Sequence, residues 1–386
     1  MKEGWEYKKL GDIATYINGF PFKPSDWEDS GKPIIRIQNL TNPQSTFNRC
    51  SRTDIPKKYF VSYGDILISW SATLGVFEWT LEDALLNQHI FKVVFDKIAI
   101  NKQYFRYAIM TSISEMSKHT NGATMKHIRK GDFDNIRIPS PPLSEQQYIV
   151  DYLDSAFAKI DVMKANAEKA LNDAKALFQA SLKEMLEPKE GWEEKTLKEI
   201  GCTQTGTTPS KGDKDNYGDF MPFIRPSEID YDGSGRIEYN SALKLSKKGA
   251  NNGRVFDAGS IFMVCIGATI GKVGYGERTI SCNQQINIFT PNNSINYKYA
   301  YYAMKDDGFQ HKVIKEGTSS QATLPIINKG KWEKLSISYP SLSEQQSIVA
   351  TLDSLKSKVD RLQENYDKIS QECDALKQAI LRQVFE

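Results

Sequence analysis

The chain has no apolar run approaching the ~20 residues that a membrane span needs. Its opening Met-Lys-Glu-Gly-Trp-Glu has none of the basic, apolar and small-residue regions of a signal peptide, so it reads as cytoplasmic. Its five cysteines, Cys50, Cys202, Cys265, Cys282 and Cys373, are scattered, with no Cys-x-x-Cys spacing. That excludes the usual signs of a disulfide framework or a zinc site. Histidine is scarce, with copies only at 89, 119, 127 and 311. His119 and His127 could pair on a metal, but no Cys, Asp or Glu ligand set accompanies them, so no metal is expected. Excess charge is also missing: 50 Lys and Arg against 48 Asp and Glu leave a net +2. A protein that grips DNA through phosphates alone is usually more basic. A DNA partner would therefore require locally concentrated charge, or a second subunit that supplies part of it.

Catalytic signatures are absent as well. There is no phosphate-binding Gly-rich loop with a following Lys-Ser/Thr, no H-E-x-x-H and no G-x-S-x-G. An adenine methyltransferase needs a cofactor-binding Gly motif and an Asn/Asp-Pro-Pro-aromatic tetrapeptide, and neither is present. Acidic pairs such as Asp26/Glu28 and Glu193/Glu194 have no partner histidine or lysine at a suggestive spacing and read as solvated charges. No catalytic residue and no metal ligand is nominated.

What the sequence does contain is a repeat. Pro-Leu-Ser-Glu-Gln-Gln at 142–147 returns as Ser-Leu-Ser-Glu-Gln-Gln at 341–346, an offset of 199, and Lys-Glu-Gly-Trp-Glu occurs at 2–6 and 189–193. Between these anchors, Pro33-Ile34-Ile35-Arg36 matches Pro222-Phe223-Ile224-Arg225. Ala72-Thr73-Leu74-Gly75 matches Ala268-Thr269-Ile270-Gly271, Asn87-Gln88 matches Asn283-Gln284, and Ala123-Thr124 matches Ala322-Thr323. The offset drifts from 187 to 199, as loop insertions allow. Each copy is a globular segment followed by a helical one: 1–143 and 144–187, then 188–342 and 343–386.

The helical segments carry the clearest physical signal. Ser144 and Ser343 precede Glu-Gln-Gln in a Ser-x-x-Gln capping box. A heptad seam follows in the second copy: Ile348, Leu352, Leu355, Val359, Leu362, Tyr366, Ile369, Cys373, Leu376 and Ile380. Its counterpart is Ile149, Leu153, Ala156, Ile160, Met163, Ala167, Ala170, Ala174, Leu177 and Ser181. A seam of small residues facing one of large residues predicts that the two helices, each roughly 65 Å long, pack on one another. Antiparallel pairing would then place the globular segments at opposite ends. A plain dimerisation coiled coil is the alternative. The globular segments read as mainly strand, with Ile34–Asn39, Asp65–Trp70, Ile90–Phe95, Gly259–Ile266 and Ile286–Thr290 as β runs. Tyr104–Ser112 and Tyr297–Lys305 read as short helices. The expected class is α+β: two tandem strand-rich domains, each followed by a long helix, related by an internal pseudo-two-fold repeat.

The loops of these segments are rich in side chains that read bases, since Arg pairs bidentately with guanine and Asn or Gln with adenine. The candidates in the first copy are Arg36, Gln38, Asn39, Ser71, Thr73, Gln88, Asn121, Thr124, Lys126 and Arg129. Those in the second are Arg225, Ser227, Thr269, Gln284, Gln285, Ser320, Gln321, Thr323 and Lys329. Lys118, His119, Lys126, His127, Arg129 and Lys130 form a stretch without acids, suited to phosphates. Arg36 and Arg225 could equally be structural donors at strand ends, and the Ala-Thr-hydrophobic-Gly loops could be tight turns.

Two such segments, each leading into a long helix through a Leu-Ser-Glu-Gln-Gln junction, resemble the specificity subunit of Type I restriction-modification systems over the whole chain. Ser341 stands where the first copy has Pro142. The resemblance implies a non-catalytic, DNA-binding subunit that reads a bipartite, asymmetric double-stranded site, with the paired helices fixing the spacer. It implies two methyltransferase subunits as partners, using S-adenosylmethionine to methylate adenine at N6. It also implies restriction and translocase subunits using ATP and Mg2+, and no cofactor in this chain itself. Two alternatives stay open: a coiled-coil adaptor without DNA specificity, and a stand-alone DNA methyltransferase.

Overall fold

The computed structural model describes residues 5–42, 44–71, 73–119, 130–230, 235–239, 242–318 and 325–385, the side chains of 113–119 excepted. The chain divides into two compact units, Met1–Ala165 with Lys368–Glu386, and Asn166–Asp367. The long helices, Leu143–Leu186 and Leu342–Phe385, are not units of their own, because each contributes one part to each unit.

The first unit contains β1 (Glu6–Lys9), β2 (Thr15–Asn18), β3 (Lys32–Ile35), β4 (Asn48–Cys50) and β5 (Phe60–Val61). It continues with β6 (Ile66–Ser69), β7 (Gly75–Glu78), β8 (Ala84–Leu86), β9 (Ile90–Val94) and β10 (Arg137–Ser140). One sheet has the order β2-β9-β6-β7 and is antiparallel throughout. A second has the order β4-β3-β8-β5, with β3 and β8 parallel, and β1 pairs with β10. Apolar side chains fill the faces between sheets and helices: Ile66, Ile68, Phe91, Tyr104, Phe105 and Phe133 are fully or almost fully buried in one cluster.

The second unit contains β11 (Glu193–Thr196), β12 (Gly201–Thr205), β13 (Tyr217–Ile224), β14 (Leu243–Leu245) and β15 (Val255–Phe256). Then come β16 (Ile261–Val264), β17 (Val273–Tyr275), β18 (Ile280–Cys282), β19 (Ile286–Pro291) and β20 (Ser336–Tyr339). Its sheets run β12-β19-β16-β17, β14-β13-β18-β15 and β11-β20. Every pairing of the first unit returns ten strands later, including the parallel one, β13 with β18. The internal repeat is thus a repeat of topology as well as of sequence. The β runs expected from sequence are strands, except that 37–41 turns into the short helix Ile37–Thr41 after β3.

Two details of the long helices correct the sequence reading. The helices begin at Leu143 and Leu342, so Ser144 and Ser343 lie inside the first turn and do not cap it. The Gln146 amide proton is instead received by Pro142 O at 3.0 Å, and Gln345 N donates to Ser341 O at 2.9 Å. The seam of the first helix also follows a different phase after Ile160. Met163 and Leu177 are each 58% exposed, whereas Leu171 and Phe178 are buried. Two interleaved 4-3 patterns share Ile160, Ala167 and Ala174, and the helix buries the one that offers larger apolar groups at 171 and 178. The expected small face is therefore not the contact face there. In the second helix the seam runs as read from Ile348 to Cys373, after which Leu376 is exposed and Leu381 is buried.

The pairing is antiparallel. In the first unit Lys377 meets Asp161 at 2.5 Å and Lys164 meets Asp374 at 3.6 Å, while Cys373 Sγ donates to Ile160 O. In the second unit Lys175 Nζ donates to Gln363 Oε1 at 2.9 Å. Among the described residues no helix is long and apolar enough to cross a membrane, and no cluster of His, Cys, Asp and Glu could hold a metal ion.

Candidate nucleic-acid interface

The repeated junction motif has a structural task in both copies. Gln146 is 2% exposed, accepts the Asn101 amide proton at 2.9 Å and donates to Pro141 O at 2.8 Å. Gln345 is fully buried, accepts from Asn296 N at 2.8 Å, and donates to Pro340 O at 2.9 Å and Ser294 O at 3.0 Å. Each glutamine thus ties the start of a long helix to the start of a short one, Lys102–His119 or Tyr297–Lys305. Further along, Tyr107 OH donates to Asp154 and Tyr302 OH to Asp353, while Tyr104 and Tyr299 OH donate to Pro139 O and Ser338 O. Burial pushes these four phenols above their ordinary values, so they stay neutral donors. The junction motif is scaffold.

The sheet topology brings the candidate loops together elsewhere. In the first unit the end of β3 pairs with the end of β8, Ile35 with Leu86, and the end of β6 pairs with the start of β9, Ser69 with Ile90. Loops 36–39, 70–74 and 87–89 therefore leave from one rim, joined by Asn87 N to Ile35 O at 3.2 Å and Trp70 N to His89 O at 3.2 Å. The chain after β2 crosses the same rim at Gly19, where an added Cβ would stand 2.0 Å from Asn87 O. Only glycine permits that approach. The second unit repeats the crossing at Gly206, where a Cβ would stand 2.1 Å from Asn283 O. Its rim consists of residues 225–228, 265–271 and 283–285, together with 325–327, tied to it by Gly267 N to Pro325 O and Ile327 N to Cys265 O, both at 3.0 Å.

The structure distributes the nominated side chains unevenly over these rims. Arg36 is half-buried and Gln38 exposed at the start of Ile37–Thr41. Asn39 is buried: its Oδ1 accepts from Arg36 N at 3.0 Å and its Nδ2 donates to Thr46 O at 3.1 Å, so both ends of the amide hold the loop. Ser71 is buried, Thr73 exposed and Gln88 half-buried. Beside Gln88, His89 holds a left-handed φ of 73°, a conformation that a side-chain-bearing residue rarely adopts.

In the second unit Arg225 and Ser227 are exposed but both donate to Glu228. Thr269 is exposed at the tip of a tight turn closed by Gly267 and Gly271, both at positive φ. Gln284 is exposed and accepts from Thr208, whereas the Gln285 carbonyl oxygen of the side chain accepts from Asn283 at 2.8 Å. Lys329 opens a short helix and pairs with Glu333 at 3.0 Å. Asn121, Thr124, Lys126, His127, Arg129, Ser320, Gln321 and Thr323 lie outside the described residues. Lys118 and His119 end the helix Lys102–His119, and Lys130 pairs with Asp134 at 2.7 Å.

Sequence reasoning missed Trp27, Thr208 and Glu228. Trp27 is a 41% exposed indole under the Arg36 guanidinium, 5.3 Å from its centroid. A tryptophan in the polar stretch Ser25-Asp26-Trp27-Glu28 was the available signal. Glu228 occupies the position that matches Asn39, three residues after the arginine, and aligning the two copies to that residue would have found it. The rims carry no activated nucleophile among the described residues. Cys265 and Cys282 lie beneath the second one, where burial pushes the Cys265 thiol up to about 12 and the Cys282 thiol higher still.

The sequence and the fold both have counterparts among known proteins. Residues 2–172 and 189–371 each match the family model described as Type I restriction modification DNA specificity domain. The specificity subunit of the Type I restriction enzyme EcoBI from Escherichia coli is 24% identical, over 100% of this chain and 86% of its own. A solved structure concerned with complex assembly and conformational transition of the type I R-M system has a TM-score of 0.76 at 17% identity, covering 100% of this chain and 98% of that one. The HsdS subunit from Thermoanaerobacter tengcongensis has a TM-score of 0.57 at 17% identity, covering 100% and 97%.

Proposed function

The chain belongs to the Type I restriction modification DNA specificity family, and from that premise we propose how it works as the sequence-specificity subunit of such a system. It is a non-catalytic subunit that directs the activity of its partners. Each rim takes one half of a bipartite site in double-stranded DNA, and the antiparallel long helices set the length of the unread spacer. Two methyltransferase subunits, carrying S-adenosylmethionine, methylate adenine at N6 within the chosen site. Restriction and translocase subunits, using ATP and Mg2+, act on DNA that lacks the mark. The near-neutral charge of this chain fits partners that help enclose the DNA.

One observation carries this reading. Two units of identical strand topology present the same three loops at one rim and keep Arg36, Thr73, Asn87 and Gln88 as Arg225, Thr269, Asn283 and Gln284, yet Gln38, Asn39, Ser71 and His89 give way to Ser227, Glu228, Gly267 and Gln285. Phosphate contacts position a reader on the duplex, and differing base-facing side chains give each reader its own bases. The test is to exchange residues 1–143 for the corresponding segment of another family member and to map the methylated motif. One half-site should change while the other half and the spacer persist. Changes in both halves would contradict two independent readers. Adding one helical turn to both long helices should lengthen the spacer alone.

A further inference from the structure

The rim arginines Arg36 and Arg225 stand at equivalent places, each just before a short helical turn whose third residue accepts its backbone N–H: Asn39 Oδ1 at 3.0 Å and Glu228 Oε2 at 2.8 Å. Their guanidinium groups differ completely. Arg225 is clamped: Nη2 donates to Glu228 Oε1 at 2.8 Å and Nε reaches Glu228 Oε2 at 3.4 Å. Burial works to raise the Glu228 carboxyl, but the hydrogen bonds from Arg225 and Ser227 overcome it and hold the group below the usual glutamate value. The clamp is therefore an ion pair at neutral pH that occupies the Nε and Nη2 edge of the guanidinium. Arg36 faces a neutral Asn39 instead. Its guanidinium lies over the exposed Trp27 ring and makes one long bond, Nη1 to Asn48 Oδ1 at 3.4 Å, with no ion pair among the described residues. An arginine centred over an aromatic ring, with no carboxylate partner among the described residues, matches the O6/N7 edge of guanine or a phosphate.

Resting on the reading that these rims hold DNA, we propose that the two units use this arginine oppositely. Arg36, braced by Trp27, is a specificity-determining DNA contact of the first unit. Arg225 is a strut neutralised by Glu228 and touches no base. The first reader is thus open to a guanine at a position where the second is closed.

The test uses the full chain in complex with its own methyltransferase subunits. Methylated motifs are mapped first, and binding to the mapped duplex is then titrated against salt. Arg36→Gln should weaken specific binding on the order of ten- to a hundredfold, relax one position in one half-site, and lower the log–log salt slope by about one. Arg36→Lys, which keeps the charge but not the fork, should restore the slope and leave the position relaxed. Arg225→Gln should leave motif and affinity within about threefold of wild type, provided thermal unfolding shows the unit intact. Glu228→Gln, which can still cap Arg225 N, should free that guanidinium and raise the slope by about one. An Arg36→Gln complex with unchanged motif and affinity, or an Arg225→Gln loss equal to that of Arg36→Gln, overturns the proposal alone. A wild-type complex that writes no motif overturns the specificity reading, and this proposal with it.

Discussion

Replacing Gln345 by alanine tests whether the repeated junction is scaffold. The side chain is fully buried and makes three hydrogen bonds, one accepted from Asn296 N and two donated to Pro340 O and Ser294 O. Truncation leaves a partly buried amide proton without its acceptor and two carbonyls without a donor. An unsatisfied buried donor costs about 1–3 kcal/mol and each lost bond about 1 kcal/mol. Together with the small cavity, the change should destabilise the second unit by about 3–5 kcal/mol. Gln146→Ala removes two such bonds from the first unit and should cost less, about 2–3 kcal/mol. Gln345→Glu keeps an acceptor for the Asn296 amide but offers no donor, so it should lose at least as much as alanine. Hydrogen exchange followed by mass spectrometry reads the two units separately: protection should fall in peptides around 294–305 for Gln345→Ala and around 101–112 for Gln146→Ala. A loss under 1 kcal/mol for Gln345→Ala, or a larger loss for Gln146→Ala, would refute the reasoning.

Three further outcomes are expected. Phe178→Ala should cost about 3–5 kcal/mol, whereas Leu177→Ala next to it should change urea stability by no more than ~0.5 kcal/mol, because only the former side chain is in the seam. Gly206→Ala should destabilise the second unit by about 1–3 kcal/mol or more, seen as a lowered urea midpoint, since its Cβ would overlap the backbone oxygen of Asn283. Glu228 titrates below its ordinary value in the folded chain, so the stability it contributes is present above the unfolded value of ~4.3 and is lost as pH falls through the folded value. Glu228→Gln should therefore flatten the acid limb of the stability profile and leave the neutral region little changed in slope.

The elements legible in the sequence were those whose cause is local. Short β-branched and aromatic runs such as 66–69 and 286–291 became strands, and the heptads from Ile348 to Cys373 became a seam. The repeat exposed the architecture because Pro33-Ile34-Ile35-Arg36 and Pro222-Phe223-Ile224-Arg225 align in the sequence alone. What the sequence concealed depends on distant partners. The role of Gln146 is settled by Asn101, 45 positions away, so the motif looked like a helix cap. The seam phase of the first helix was ambiguous because alanines at 167 and 174 fit both patterns, and the choice was made by Leu171 and Phe178 packing in the second unit's core. At the rim, residue type alone did not separate Asn39, whose amide is committed to the loop, from Gln38, whose side chain is exposed. Nor did it separate a clamped Arg225 from an open Arg36, a distinction made by one residue three positions on.

The central claim is that this chain selects the DNA sequence at which partner subunits act. Its most direct test is single-molecule detection of N6-methyladenine in plasmid DNA from cells that co-express the chain with its own methyltransferase subunit, with methyltransferase alone as the control. A bipartite, asymmetric methylated motif that appears only when the chain is present is the predicted result. No new methylation, with both proteins associated, would contradict the claim and leave a helical adaptor that reads no sequence.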